Sequence, residues 1–462
     1  MKRVDQKFVL VFFLILMLAM AFLPINAAAD GKWWDVIPEE ETPSMQYDSI
    51  LYSEIAPKLR EIELNSKRVK VNVLAQSSGG RNLFEATISD PKTSDAQDKY
   101  QSILNNMTKN PDKALEIIDK SADFKVPVVI NGSTHGNEYT GTDAAMRLIE
   151  YLAYVDTEEV QDILENIILI VNVVQNPDGR VMGILPNSAN VDLHLDFMTQ
   201  SQPETKALIT LIREWNPLVM LDLHNKLYSV PPTTTVPNTM LIEPSGPYHN
   251  PNYEYDLYIK WALFEAYSME DELFANTSET AIIPFRDGPC GAILPLLYTA
   301  KYSIFHNTYG HTLETQYIDE RGVDAHFWAI IGALKFVVEN KKDMIKDKIQ
   351  AFRRGTLDLP QQLIPSYILA EATCNQYNLL TIKDFPVAYI IPDQIVEYLL
   401  FNGVQVEKTI ESFWLDNVSY PKDTHIVWMN QAIRTLANNF LENRSDVIVV
   451  QGTLEVKTIS LK

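Results

Sequence analysis

Three runs of apolar residues without alternation punctuate the chain: Val126 to Asn131, Ile167 to Gln175 and Leu218 to His224. Runs of that length rich in Val, Ile and Leu predict strands buried on both faces, which makes the chain α/β with a largely buried sheet. Helical patterns separate them. Thr142 to Tyr154 puts Ala145, Leu148, Ile149 and Leu152 on one side, and Gln202 to Trp215 opens on Pro203 and Glu204 and stops before Pro217. Upstream, Tyr47 to Leu64 has helical spacing, and Arg68 to Leu74 and Asn82 to Ser89 read as strands joined by a turn over Ser77 to Arg81. The polar stretch Asp90 to Ser121 contains one amphipathic segment, and further helices are expected over Tyr253 to Phe274 and His326 to Asn340.

Past about Arg354 the pattern restarts. Pro386 to Pro392 reads as a strand, Asp393 to Asn402 as a helix ending on Gly403, and Val404 to Val406 as a strand; His425 to Met429, Asn430 to Asn443 and Val447 to Val450 follow as strand, helix and strand. A small C-terminal α/β domain over 351–462, without a metal-ligand cluster, is therefore expected beside a main domain over 30–350.

The first 29 residues have the build of a signal peptide: Lys2, Arg3 and Lys7, an apolar stretch from Phe8 to Leu23, then Pro24 and the small residues Ala27, Ala28 and Ala29. The small-residue site favours cleavage, and so a secreted protein, over retention as a membrane anchor. Export permits a disulfide between Cys290 and Cys374, the two cysteines of the chain, but two buried thiols fit equally well. With 46% hydrophobic and 21% charged residues over 462 positions the chain has ample material for a core. Its 39 basic against 60 acidic residues, a net charge of -21, exclude a nucleic-acid partner that relies on clustered cations.

Chemistry concentrates at strand ends. Ser133-Thr134-His135-Gly136-Asn137-Glu138 follows the first buried strand, and its H-x-x-E spacing sets an imidazole and a carboxylate on one turn. His224 closes another strand, in Leu221-Asp222-Leu223-His224. Two histidines and a glutamate leave one position of a tetrahedral zinc for water, the arrangement of a catalytic site, so one zinc per chain is expected on His135, Glu138 and His224. Alone, H-x-x-E is a weak signal. It is followed in order by Asn176-Pro177-Asp178-Gly179-Arg180, Val191-Asp192-Leu193, Gln202-Pro203-Glu204-Thr205, Asp222-Leu223-His224 and Gly310-His311-Thr312-Leu313-Glu314-Thr315.

That ordered series resembles the carboxypeptidase A-like zinc metallopeptidases, over roughly Tyr47 to Asn340. The resemblance implies that family's fold, a mixed sheet with helices on both faces. It also implies His135, Glu138 and His224 as zinc ligands and Glu314 as the catalytic carboxylate. The tail is similar to the C-terminal extension of a secreted bacterial branch of the family. Such an enzyme hydrolyses a peptide amide bond with zinc-activated water and Glu314 as general base. Asp222 either orients a ligand or is a satisfied core carboxylate. His306 and His311 are candidates to line the cleft.

The chain departs from the family where substrate is gripped. An Asn-Arg pair is expected after Val-Asp-Leu, and His194 and Leu195 stand there; a further Arg is expected near Leu185. Leucine cannot make the forked bonds of guanidinium with carboxylate. Arg180, Arg286, Lys226 and His194 are candidate replacements. Without the clamp, two other readings stand beside the peptidase: a zinc- or peptide-binding protein of the same fold with weak or no catalysis, and an amidase acting on modified peptides or N-acyl amino acids.

Overall fold

The computed structural model describes residues 33–34, 41–42, 47–121, 123–225, 239–245, 254, 257–284, 286–287, 298–361 and 385–461. The leader, Cys290, Cys374 and Lys226 lie outside them. Eight strands form one mixed sheet: β1 (Val69–Gln76), β2 (Asn82–Ile88), β3 (Val126–Gly132), β4 (Ile167–Asn172), β5 (Val219–His224), β6 (Thr239–Pro244), β7 (Thr280–Ile282) and β8 (Tyr309–Thr315), in the order β1-β2-β4-β3-β5-β8-β6-β7. The centre, β4-β3-β5-β8, is parallel, and β1, β2 and β6 pair antiparallel around it. Every residue of β3, β4 and β5 is buried. The unbroken apolar runs are thus accounted for by helices covering both faces.

From β3 the chain passes to β4 on one side and returns to β5 on the other, which opens a crevice between the carboxyl ends of β3 and β5. In open α/β sheets ligands bind at such a switch point.

Two helices fill the stretch expected to hold one, α2 (Ser94–Met107) and α3 (Pro111–Lys120), after α1 (Tyr52–Asn65). The first ends at Met107, and Asn110 accepts from Lys113 N to cap the second, with Pro111 in its first turn. The remaining helices of the main domain are α4 (Tyr139–Tyr154), α5 (Glu158–Asn166), α6 (Pro177–Met182), α7 (Pro203–Trp215), α8 (Leu263–Thr277), α9 (Thr299–Ile304) and α10 (Glu320–Thr356).

Helix α10, expected over 326–340, runs unbroken for 37 residues and through the boundary drawn at 350. Its buried stripe continues through Met344, Ile345, Ile349 and Phe352. Two lysines on the same side are also buried. Lys341 Nζ donates to Phe124 O and Asn166 Oδ1, and Lys348 Nζ donates to Pro217 O at 2.6 Å and Asn216 O at 3.2 Å. Their amines satisfy carbonyls beyond the ends of other elements, so polar letters occupy core positions and mask the helical period.

The C-terminal part builds a five-stranded sheet, β14 (Ile448–Val450)-β9 (Ala388–Ile391)-β13 (His425–Trp428)-β10 (Glu407–Thr409)-β15 (Thr458–Ser460), all antiparallel, with a hairpin of β11 (Phe413–Leu415) and β12 (Val418–Tyr420) and helices α11 (Val396–Phe401) and α12 (Arg434–Leu441). Val404 to Val406, expected as a strand, instead leads into β10. Leu399, Val404 and Leu436 are continuous with the core of the large sheet. Asn402, fully buried at the end of α11, exchanges amide hydrogen bonds with Gln200 at 2.8 and 3.1 Å and accepts from the Tyr302 hydroxyl at 2.7 Å.

Candidate metal centre

The loop from β3 to α4 carries the H-x-x-E turn. Ser133 opens it in the left-handed region at φ 46°, and its hydroxyl donates to Glu138 O at 2.6 Å while accepting from Thr142 Oγ1 at 2.9 Å. These bonds hold an unfavourable backbone in place, so His135 and Glu138 arrive on a fixed turn. Gly136 allows the next contact. A Cβ there would lie 2.0 Å from the carbonyl carbon of Gly179, so only glycine lets this loop close on the Asn176-Pro177-Asp178-Gly179-Arg180 turn.

That second turn is scaffold. Asn176 caps α6 by accepting from Gly179 N at 2.8 Å, and Asp178 accepts from Ser77, Ser188, Gly79 N and Arg81. Arg180 is buried and ion-paired with Asp143 at 2.7 Å while donating to Tyr139 O and Ile50 O. Its guanidinium holds α4 to the backbone just before α1 rather than turning to a ligand.

The structure brings His135, Glu138 and His224 together. Glu138 bridges the two rings, Oε1 at 2.8 Å from His135 Nδ1 and Oε2 at 2.9 Å from His224 Nδ1. Each ring turns its other nitrogen to a further carboxylate: His135 Nε2 lies 3.2 Å from Asp192 Oδ1, and His224 Nε2 lies 2.8 Å from Asp222 Oδ2. A carboxylate on Nε2 keeps the proton there and leaves Nδ1 as a donor atom, so both Nδ1 atoms and Glu138 fit a divalent cation. The same carboxylates favour protonated rings. Burial opposes charge on His135, but Asp192 and Glu138 outweigh it and raise its pKa to about 9. Burial likewise opposes charge on His224, and Asp222 and Glu138 raise it well above the ordinary value. Burial pushes Glu138 upward, but His224 and His135 hold it well below the usual carboxylate range.

Asp222 is fully buried and anchored from behind. Asn131 Nδ2 donates to its Oδ1 at 2.7 Å and Thr134 Oγ1 at 3.2 Å, and the same Asn131 amide nitrogen donates to Gln175 Oε1 at 2.7 Å while its oxygen accepts from Asn172 at 2.7 Å. The registers of β3, β4 and β5 set Asn172, Asn131 and Asp222 side by side. A row of polar residues through a buried sheet is tolerated because each bonds the next.

Glu314 is half-buried and sits opposite His224 in the pairing of β5 with β8, which sets the two side chains on one face about 4.8 Å apart along the sheet. His311 points to the other face, where its Nε2 meets Glu265 at 2.8 Å in the core, and His306 is buried beside Tyr302 at 3.3 Å; neither lines the crevice. Arg286 is ion-paired with Glu270 of α8 and with Asp287. His194, from the short turn Leu193–Leu195, enters the cluster: one nitrogen from each of His135, His194 and His224 lies within 4.8 Å of the others. Burial and the neighbouring His224 depress the His194 pKa to about 3. Leu195 is 37% exposed, and Leu185 contributes its carbonyl to Gly136 N and Asn176 Nδ2. Asp192, Asn131, Thr134 and Tyr298, which stacks on His194, carry no signal of their own in the sequence beyond their places in the motif series.

Residues 58–190 match the family described as zinc carboxypeptidase; the matched segment contains His135 and Glu138 and ends before His224 and Glu314. Carboxypeptidase SOL1 of Arabidopsis thaliana is 32% identical over 114 residues, which are 22% of this chain and 23% of that protein, so the match spans under a quarter of the curated relative. Among solved structures, the chain is similar to a metallo-carboxypeptidase from Burkholderia cenocepacia (17% identity, 66% of this chain and 71% of that one, TM-score 0.44). It is also similar to a metallo-carboxypeptidase from Pseudomonas aeruginosa (18%, 63% and 69%, TM-score 0.45) and to carboxypeptidase A from Helicoverpa armigera (18%, 71% and 80%, TM-score 0.43).

Proposed function

We propose that this chain, whose residues 58–190 match the family described as zinc carboxypeptidase, is an exported zinc-dependent hydrolase of peptide amide bonds. The observation that carries the reading is the convergence of His135 Nδ1, His224 Nδ1 and Glu138 with Glu314 opposite His224. One zinc per chain is held by His135, Glu138 and His224, with Asp192 and Asp222 keeping the rings in register. Bound there, zinc supplies a Lewis acid that polarises a carbonyl and makes water nucleophilic near neutral pH. Glu314 takes the proton of the attacking water and returns it to the leaving nitrogen as the C–N bond breaks. Export rests on the leader, and no helix among the described residues is long and apolar enough to cross a membrane.

Leu195 favours a second reading of the substrate. It stands, exposed, where the family resemblance expects the arginine that holds a terminal carboxylate, while Arg180 and Arg286 are spent on other partners. A substrate with a blocked or modified C-terminus loses nothing at such a site.

The test is zinc-dependent turnover of paired free-acid and amide peptides by the full chain. Chelation should abolish it, zinc should restore it, and Glu314→Gln should lower it by on the order of 100-fold or more. Turnover that survives both chelation and the substitution rejects the mechanism, and strong preference for the free acid rejects the second reading.

A further inference from the structure

Resting on the metal reading above, we infer that His194 is a third imidazole ligand of the ion held by His135, Glu138 and His224. The resemblance expects an asparagine here, whose amide suits a substrate carboxylate and is a poor ligand for zinc. Imidazole is the commonest nitrogen ligand.

The surroundings fix the His194 ring as a ligand's ring is fixed. It stacks on Tyr298 at 5.0 Å and 17° and meets His224 edge-on at 4.8 Å between centroids. Its Nδ1 edge faces Thr299 Oγ1 at 3.4 Å and the buried Asp222 Oδ2 at 3.8 Å, the carboxylate that also orients His224. Its backbone N–H donates at 3.0 Å to Asp192 Oδ1, the atom facing His135 Nε2. Two carboxylates therefore tie His194 to the two other imidazoles, one through its backbone and one beside its ring. Among the described residues its Nε2 has no hydrogen-bond partner, and its side chain is only 17% exposed.

The replacement of Asn-Arg by His194 and Leu195 then has one meaning: an anion-gripping pair has given way to a fourth protein donor. Four protein ligands leave water only a fifth position, so the metal is held tighter and the open face of the site is narrower.

The experiment uses the full chain with His194→Asn, which restores the resemblance's residue, and His194→Ala. Zinc affinity is read by chelator competition, coordination by the visible spectrum after cobalt loading, and folding by the urea midpoint of the metal-free forms. Removing an outer carboxylate partner costs roughly 10–100-fold in affinity, so losing a direct ligand should cost about 100-fold or more. The expected result is that loss in both variants, with a changed cobalt spectrum and metal-free midpoints close to the parent's. Unchanged affinity in either well-folded variant overturns the inference, as does weaker binding with an unaltered spectrum, which would make His194 a positioning residue. These outcomes are separable from the hydrolase reading, because Glu314→Gln tests catalysis without touching the metal donors. A parent protein that binds no zinc would remove both.

Discussion

Asp222→Asn removes a charge and acceptor capacity from a place where the neighbouring donors are already committed. Oδ1 accepts from Asn131 and Thr134, and Oδ2 faces His224 Nε2 at 2.8 Å. An amide has one oxygen. If that oxygen faces His224, the new NH2 group confronts the Asn131 amide nitrogen, which cannot turn over because its own oxygen accepts from Asn172 at 2.7 Å. If the NH2 group faces His224 instead, Nε2 must accept, and the ring proton moves to Nδ1, the atom that faces Glu138 and is needed for metal. Both outcomes leave a buried mismatch of about 1–3 kcal/mol, and the second also blocks a donor. Zinc affinity should fall roughly 10–100-fold, equivalent to about 1.4–2.7 kcal/mol. Chelator competition at fixed pH measures it, with metal-free urea midpoints to separate loss of stability from loss of affinity. Affinity within about twofold of the parent would refute the reasoning and leave Asp222 an ordinary core carboxylate.

Asn402→Ala strands the Gln200 amide and the Tyr302 hydroxyl, and should cost about 3 kcal/mol in urea unfolding; a cost below about 1 kcal/mol would show that the C-terminal part does not brace the 193–200 segment. Gly136→Ala places a Cβ inside the Gly179 backbone, so zinc affinity should drop at least about tenfold together with the melting temperature; both unchanged would mean the two motif turns need not touch. His306 and His326 are buried and neutral, with burial depressing their pKa values to about 3 and about 4. Because the unfolded chain takes up their protons near pH 6.5, stability is complete above that pH and falls by about 1.4 kcal/mol per pH unit for each histidine as pH drops toward 4. Urea midpoints over pH 4–7 for His306→Gln and His326→Gln should show a shallower acid slope, and an unchanged slope in both contradicts neutral burial.

The unbroken Val, Ile and Leu runs of β3, β4 and β5 were legible because burial on both faces leaves one kind of side chain acceptable at nearly every position. Helix α10 was legible only in part, since Lys341 and Lys348 carry the signature of an exposed face while their amines serve buried carbonyls. The split of 90–121 into two helices turned on Asn110 and Pro111, a cap that a pattern of apolar spacing does not register. In the C-terminal part, three-residue strands such as β10 and β15 are too short to carry a period, so their antiparallel order could not be read.

By itself the sequence determined the class of the sheet and the order of the motifs, because hydrophobic period and local spacing are properties of neighbouring residues. It also marked His135, Glu138, His224 and Glu314 as candidates and Leu195 as a departure. Only the tertiary structure decided what those residues face. It spent Arg180 on Asp143, drew Asp192 and Asp222 behind the two imidazoles, and set His194 beside them. The physical reason is register. Strands distant in sequence meet at fixed offsets that no local pattern records, and a carboxylate becomes a ligand's anchor or a salt-bridge partner according to what that offset sets within about 3 Å of it.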